Sequence, residues 1–554
     1  MDYITFLLSL FFVWAWIHVL ALNSRRKSST ARLPPGPYPF PIIGNIFALG
    51  NKPHRSLANL SKTYGPLMSL KLGSITTVVV SSPKIAKEVL QTHDQALSGR
   101  TVPDAAQVHD HHKVSIVWLP VSAQWRNLRK ICREQLFALQ RLDAGQGLRR
   151  KKVQELLDYV HERCKKGQAV DIGRAAFTTS LNLLSNTIFS IDMAHYRSSS
   201  SQEFKELVWA AMEQAGKPNL ADYFPFLKLI DLQGKRRKQK ILFGKLFSMF
   251  DKIVNQRLQS RASSETSTPL MINNDVLEAL LNSCNGSDIK LNFKDIKHLF
   301  LDLFIAGTDT TSSTLEWAMT ELLKNPETMA KAQNELKEVI GKDGVVQESD
   351  ISRLPYLQAV VKETFRLHPS APLLLPHKAE ADVEICGFIV PKKAQVLVNT
   401  WAMGRDSGIW SNPESFVPER FIESGVDLKG QDFELIPFGS GRRICPGMQL
   451  GYRMVHLVLA SLLHSFDWKL EEGMKPEDID MSDKTGLTLQ KAMPLKAIPI
   501  QRRECQEREE DKDFLERERE RERERQERLV KRERDTYIER ESGVKLAQNL
   551  TKWA

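Results

Sequence analysis

Residues 438–447 read FGSGRRICPG. The fixed spacing F-x-x-G-x-R-x-C-x-G, met by Phe438, Gly441, Arg443, Cys445 and Gly447, presents one thiol in a loop suited to a flat ligand. Gly441 can take backbone angles closed to other residues, and Gly447, lacking a Cβ, lets a planar group come close to the main chain. Pro446 suits the first turn of a helix, where its missing N–H costs nothing. Leu450, Met454, Leu457, Val458 and Leu462 then recur at helical spacing. Cys445 therefore stands at a predicted helix N-terminus, where unpaired N–H groups and the helix dipole favour thiolate over thiol. Arg443, two residues earlier, can pair with an anionic edge of the ligand. A lone cysteine before a helix is ordinarily a buried, inert thiol, and it is the four fixed neighbours that set this one apart.

The loop resembles the haem-ligand signature of the cytochromes P-450. That resemblance implies a mainly α fold, a helical bundle around haem b with a small β-sheet region. Cys445 would be the axial ligand of the iron, its thiolate pushing electron density that favours O–O cleavage. Three more motifs should then stand upstream in a fixed order, and they do. KETFR places Glu363 and Arg366 three apart on one helix face. FVPERF supplies Arg420, which in the family completes a buried Glu-Arg-Arg network beneath the haem. A lone E-x-x-R is by default a surface pair, but its order relative to Arg420 and Cys445 favours the structural network.

The segment LFLDLFIAGTDTTSSTLEWAM reads as a long core helix interrupted by Ala306, Gly307, Thr308, Asp309, Thr310 and Thr311. Small residues and hydroxyls in mid-helix weaken the local ladder and leave room beside it. In isolation they equally suit a helix bent by back-bonding threonines. The resemblance implies instead that the gap at Ala306 and Gly307 admits dioxygen, with Thr310 and Asp309 as the catalytic pair that delivers protons. Trp125 and Arg129, W-x-x-x-R, lie one turn apart and resemble the Trp and Arg that bond a haem propionate. The alternative is an amphipathic helix with a snorkelling Arg. His377, in LLPHKAE, occupies a place where relatives carry Arg or His for the second propionate. The implied cofactor-binding set is Trp125, Arg129, His377, Arg443, Cys445 and Gly447.

Composition agrees. ADVEICGFIVPKKAQVLVNTW alternates around a Gly turn and reads as short strands. Six cysteines without paired spacing argue against a disulfide framework and for a reducing, cytosol-facing body. Tyr3 to Leu22 is nearly continuously apolar and long enough to span a bilayer. Arg25, Arg26 and Lys27 follow it and keep that side cytosolic. A cleaved signal peptide would carry its basic cluster before a shorter apolar core. Residues 1–22 thus read as a transmembrane anchor, 23–33 as a basic linker and 34–500 as the catalytic domain. Residues 501–554 form an Arg/Glu-rich tail holding 16 basic and 16 acidic residues, so the net charge of +11 belongs to residues 1–500. The tail has no apolar stripe with which to dock on a core, and it reads as a solvated, helical or disordered appendage. Its zero net charge argues against a nucleic-acid arm.

At finer grain, residues 30 to 500 resemble the plant microsomal P-450 group that includes geraniol 8-hydroxylases and oxidises terpenoids. This implies monooxygenation of a small hydrophobic substrate such as a monoterpene alcohol. Electrons would come from NADPH through a membrane-bound reductase at the endoplasmic reticulum, whose docking the basic catalytic body favours. Substrate-facing candidates are Val108, Val117, Phe300, Ala306, Ala371, Leu373 and Leu487. His111 and His112 stand among them as polar exceptions or, the preferred reading, as solvent-facing loop residues. The rival readings are a haem-thiolate isomerase or dehydratase, which tends to lose the acid-threonine pair, and an inert haem-binding relative.

Overall fold

Seven helices position the site: α1 (Ala123–Ile131), α2 (Ile172–Phe189), α3 (Ser200–Gly216), α4 (Lys235–Ser264), α5 (Phe293–Lys324), α6 (Pro355–Leu367) and α7 (Met448–Ser465). The computed structural model describes residues 32–264, 275–284 and 292–502, with scattered positions between 3 and 16. The chain divides into two compact units, Met1–Ile500 and Gln501–Ala554. Much of the anchor read over 1–22, nearly all of the linker, and the tail from residue 503 lie outside the described residues. Among the described residues no helix is long and apolar enough to cross a membrane.

Helix α5 is the axis of the larger unit. It starts on a capping box, in which Asn292 accepts from the Asp295 N–H at 2.8 Å and the Asp295 carboxylate accepts from the Asn292 N–H at 3.3 Å. Its 32 residues run about 48 Å at 1.5 Å each, long enough to serve two cores. The first half packs Ile296, Leu299, Phe300 and Phe304 into one cluster with α1, α2 and α4. The second half packs Leu315, Ala318, Met319 and Leu322 into another with α6 and α7. Helix α2 is buried along nearly its whole length against this axis.

The β regions are small. Strands β1 (Leu67–Leu72), β2 (Ile75–Val80), β3 (Gly99–Arg100), β4 (His377–Lys378) and β5 (Gln395–Val398) form one sheet in the order β1-β2-β5-β4-β3. In it Arg100 stands directly opposite His377, antiparallel. A hairpin of β6 (Asp483–Thr485) and β7 (Leu489–Lys491) carries Gly486, Leu487 and Thr488 at its tip. Leu487 N–H donates to the Met212 carbonyl of α3 at 3.0 Å, which seats that tip against the helix.

Candidate active site

The Cys445 loop is built by backbone as the sequence predicts. Gly441 has φ +68°, and a Cβ there would meet the Leu90 carbonyl oxygen at 1.9 Å, so only glycine fits. Cys445 N–H donates to Phe438 O at 3.0 Å. Helix α7 begins two residues later than read from sequence, with Gly447 as its cap. The freed N–H groups of Gly447 and Met448 point at the sulfur. Burial pushes the Cys445 thiol up, while the Gly447 N–H, the Arg129 guanidinium and the Met448 N–H pull it down. Burial wins in the chain alone, so a thiolate here calls for an added cation. A Cβ on Gly447 would stand at ordinary contact distance from the Phe137 ring, 3.7 Å, and from Cys445 Sγ, 4.0 Å, and both Gly447 and Cys445 border open space.

That space is a cavity of about 350 Å³, mostly apolar, running from Cys445 to the threonine face of α5. Basic groups gather at one side of it. Arg129 donates to Ile444 O at 2.8 Å, and Arg443 to Ser98 O at 2.5 Å and also to Leu119 O. The Trp125 ring lies 5.6 Å from the Arg129 guanidinium and 5.1 Å from that of Arg443. Its indole N–H donates to Ile116 O at 3.0 Å, so it contributes here by holding the two arginines rather than by a free donor. His377 is buried, and its Nδ1–H donates to Leu97 O at 2.8 Å. Burial, then the charge of Arg100, holds its pKa well below the ordinary range, so at neutral pH its Nε2 is an acceptor. A carboxylate there would have to bring a proton with it.

Sequence reading missed Arg100. It is 8% exposed, lines the same cavity, and donates from Nη1 to Leu375 O at 2.6 Å. Its Nε has no partner among the described residues. Arg100, Arg129 and Arg443 make no ion pair with any described residue. Three buried or half-buried guanidiniums without a carboxylate fit a ligand that brings its own anionic groups.

On the opposite wall, Leu303, Ala306, Gly307, Thr310, Thr311 and Thr314 share one face of α5 and line the cavity. Thr310 Oγ1 donates to Ala306 O at 2.7 Å, and Thr308 and Thr311 back-bond in the same way. Asp309 points elsewhere. It is fully buried and off the cavity wall, its carboxylate accepting from Thr488 Oγ1 and Gln490 Nε2 of the hairpin. Burial raises its pKa against those hydrogen bonds. Thr488 does line the cavity, so its hydroxyl bridges Asp309 and that space.

Below the loop, Glu363 takes both Arg366 Nε and Nη2 at 2.7 Å, Arg420 Nε at 3.1 Å and the Val417 N–H at 2.8 Å. Glu363 and Arg366 are 0% and 1% exposed. The E-x-x-R pair and Arg420 are therefore brought together in one buried network.

A cytochrome P450 family model matches residues 34–496. The chain belongs to the cytochrome P450 family. It is 59% identical over 500 residues to cytochrome P450 76T24 of Catharanthus roseus, which covers 90% of this chain and 99% of that one. It is 54% identical over 499 residues to geraniol 8-hydroxylase of Catharanthus roseus, with the same coverage. Cytochrome P450 76AD1 of Beta vulgaris is 54% identical over 502 residues, 91% of this chain and 100% of the relative. This P450 is a monooxygenase whose cofactor is haem b, with electrons from NADPH through a reductase. The cavity beside Cys445, the thiol at a helix N-terminus and the guanidiniums without a carboxylate partner fit a haem and its two propionates.

The substrate candidates divide. Val117, Ala306, Ala371 and Leu487 line the P450 cavity, and Val108, Phe300 and Leu373 do not. Phe300 shares the helix face of Leu303 but is capped by Phe189 and Phe250, with ring centroids 5.0 and 6.2 Å away. Leu374 has φ +49°, and that turn sends Leu373 to the cluster under β1 while Leu374 and Leu375 face inward. The segment Asp104–Lys113 breaks at Val108, with His109 and Asp110 left-handed, which tucks Val108 into the core.

The same break corrects the solvent-facing reading of His111, which is 2% exposed. Its Nε2 lies 3.1 Å from Asp302 Oδ1, and its Nδ1 lies 2.8 Å from His298 Nδ1. Asp302 also accepts from Ser115 Oγ at 2.8 Å and the Ile116 N–H at 3.0 Å. His112 is half-buried with an unpartnered Nδ1. Burial, then the neighbouring His111, Lys294, His109 and Lys297, lowers the His298 pKa to about 3. Between its ordinary 6.5 and that value the unfolded chain takes up a proton that the folded chain refuses, so stability falls as pH falls through this window. A His298→Gln variant should lose less stability than the parent between pH 7 and pH 5 in denaturant titrations. Parallel losses would refute the assignment.

Proposed function

We propose that this P450 hydroxylates a small plant terpenoid alcohol of the geraniol kind, held in the apolar cavity between Cys445 and α5. The observation that carries this reading is the cavity itself: about 350 Å³, with a lining surface that is mostly apolar. Relatives at 54% and 52% identity are geraniol 8-hydroxylases. In this reading Cys445 ligates the haem iron, Arg100, Arg129 and Arg443 take the propionates, and Gly447 forms part of the wall beside the macrocycle. Haem supplies the activation of dioxygen and the oxidising power.

The chain's own part is positioning and proton supply. Ala306 and Gly307 keep α5 thin beside the reacting position, and Val117, Ala371 and Leu487 exclude water around the substrate. Asp309, its pKa raised by burial, holds a proton closer to neutral pH than a solvated carboxylate does. Thr488 Oγ1, bonded to Asp309 and on the cavity wall, would hold a proton between the carboxyl and the cavity, and Thr310 Oγ1, bonded to Ala306 O on the facing helix, would offer a hydroxyl proton toward the cavity. The Asp309–Thr310 pair argues against the isomerase and inert readings.

The apolar run Tyr3 to Leu22 and the basic cluster after it support a single anchor in the endoplasmic reticulum membrane with the catalytic body cytosolic. The functional reading is tested with microsomes containing this P450, a plant reductase and NADPH. A hydroxylated product from geraniol is the expected result. A protein with a normal carbon monoxide spectrum that yields no NADPH-dependent product from geraniol would overturn it.

A further inference from the structure

Most of the cavity's polar side chains are engaged; besides Arg100 Nε, assigned above to the propionates, the buried side-chain atoms on its wall without a partner among the described residues are Ser180 Oγ and one on α4. Asp302 and His111 bond each other, Thr310 and Thr311 back-bond to α5, Thr488 donates to Asp309, and Ser440 donates to Gly430 O. Gln239 on α4 is different. It is 1% exposed, lines the cavity, and its Oε1 has no hydrogen-bond partner among the described residues. An orphaned buried amide is costly, so its retention beside a ligand cavity points to a partner that arrives with the ligand.

Its place in the fold sets what it would do. Phe243, one turn along α4, also lines the cavity, and its ring lies 5.2 Å from that of His111, which bonds Asp302 on α5. Asp302 precedes Thr310 by eight residues, about 12 Å along the helix. Gln239 thus belongs to the end of the cavity remote from the thiol and the oxygen-facing threonine. A carboxamide both donates and accepts, which matches a hydroxyl. The Asp302 carboxylate nearby disfavours an acid.

We propose that Gln239 anchors the hydroxyl of an acyclic alcohol substrate, so that attack falls on the carbon at the far end of its chain. This rests on the monooxygenase reading above and adds the substrate's polar handle and the origin of its regiochemistry.

The test is a spectral titration of the purified haemoprotein with geraniol and with 2,6-dimethylocta-2,6-diene, the same skeleton without the hydroxyl. Gln239→Met keeps side-chain length and removes the hydrogen-bonding group. It should raise the Kd for geraniol about tenfold and leave that for the diene unchanged or lower. Hydroxylated products of geraniol should spread over more than one carbon. The diene titration and the carbon monoxide spectrum report an intact cavity, and Gln239→Asn serves as a second variant with the amide withdrawn by one carbon. Equal shifts for the two ligands, or none, would overturn the anchor and leave the monooxygenase reading standing. Failure of the parent enzyme to bind geraniol would overturn the anchor together with the geraniol-type substrate proposed above.

Discussion

A Cys445→Ser variant should lose the thiolate-type ferrous carbon monoxide spectrum, and its NADPH-dependent turnover should fall by about three orders of magnitude or more. The substitution is nearly isosteric, so the Phe438 carbonyl and the Gly447 and Met448 N–H groups keep their places. What changes is the donor. A serine hydroxyl does not ionise at neutral pH, whereas the thiol sits where N–H groups and an incoming cation both favour its anion. Circular dichroism should remain that of the parent. A retained thiolate-type spectrum would remove Cys445 from the iron.

The second large effect is expected at Glu363. Replacing it with alanine leaves Arg366, 1% exposed, and Arg420, with a side chain 8% exposed, without their shared counter-charge. Breaking one partner out of a buried ion network typically costs about 3–5 kcal/mol. Arg366 would retain its bonds to Gly404 O, Pro413 O and Ser415 O, so loss should show first as instability and poor haem retention rather than altered selectivity. The pair of Arg353 with Asp350, in which the arginine is 58% exposed although the aspartate is largely buried, is the control. Arg353→Ala should change stability by less than about 1 kcal/mol. Comparable effects in chemical denaturation would refute a special role for Glu363.

The residues legible in the sequence are those whose chemistry is written in short spacing. Cys445 with Gly441 and Gly447, the pair Glu363 and Arg366, and the run Ala306 to Thr311 each sit within a loop or two turns. Cys445, Gly447 and all of that run but Thr308 and Asp309 line the cavity, Glu363 and Arg366 meet in one network, and Gly441 shapes the loop. Contacts made across the fold were not legible. Arg100 becomes a cavity residue because a two-residue strand pairs it with His377, and nothing near Arg100 announces that pairing. His111 looked like a loop residue because Asp302 and His298, which bury it, lie on a helix almost 190 positions away. Asp309 and Thr310 are adjacent in the chain but about 100° apart around α5, so one faces the cavity and the other the hairpin. Phe300 fails as a substrate contact because rings from α2 and α4 cap it, and Leu373 because of the left-handed turn at Leu374, neither of which apolar character alone reveals.

The hairpin tip ties two properties that are usually tuned separately. Leu487 touches the cavity and is fastened to α3 through Met212, while Thr488 beside it and Gln490 two residues on grip Asp309. Any change that reshapes the chamber at Leu487 therefore pulls on the grip. With Asp309 supplying protons as proposed, widening the substrate range at this position is expected to trade fidelity of oxygen use for scope, and Thr488 and Gln490 are the partners to vary to restore the grip.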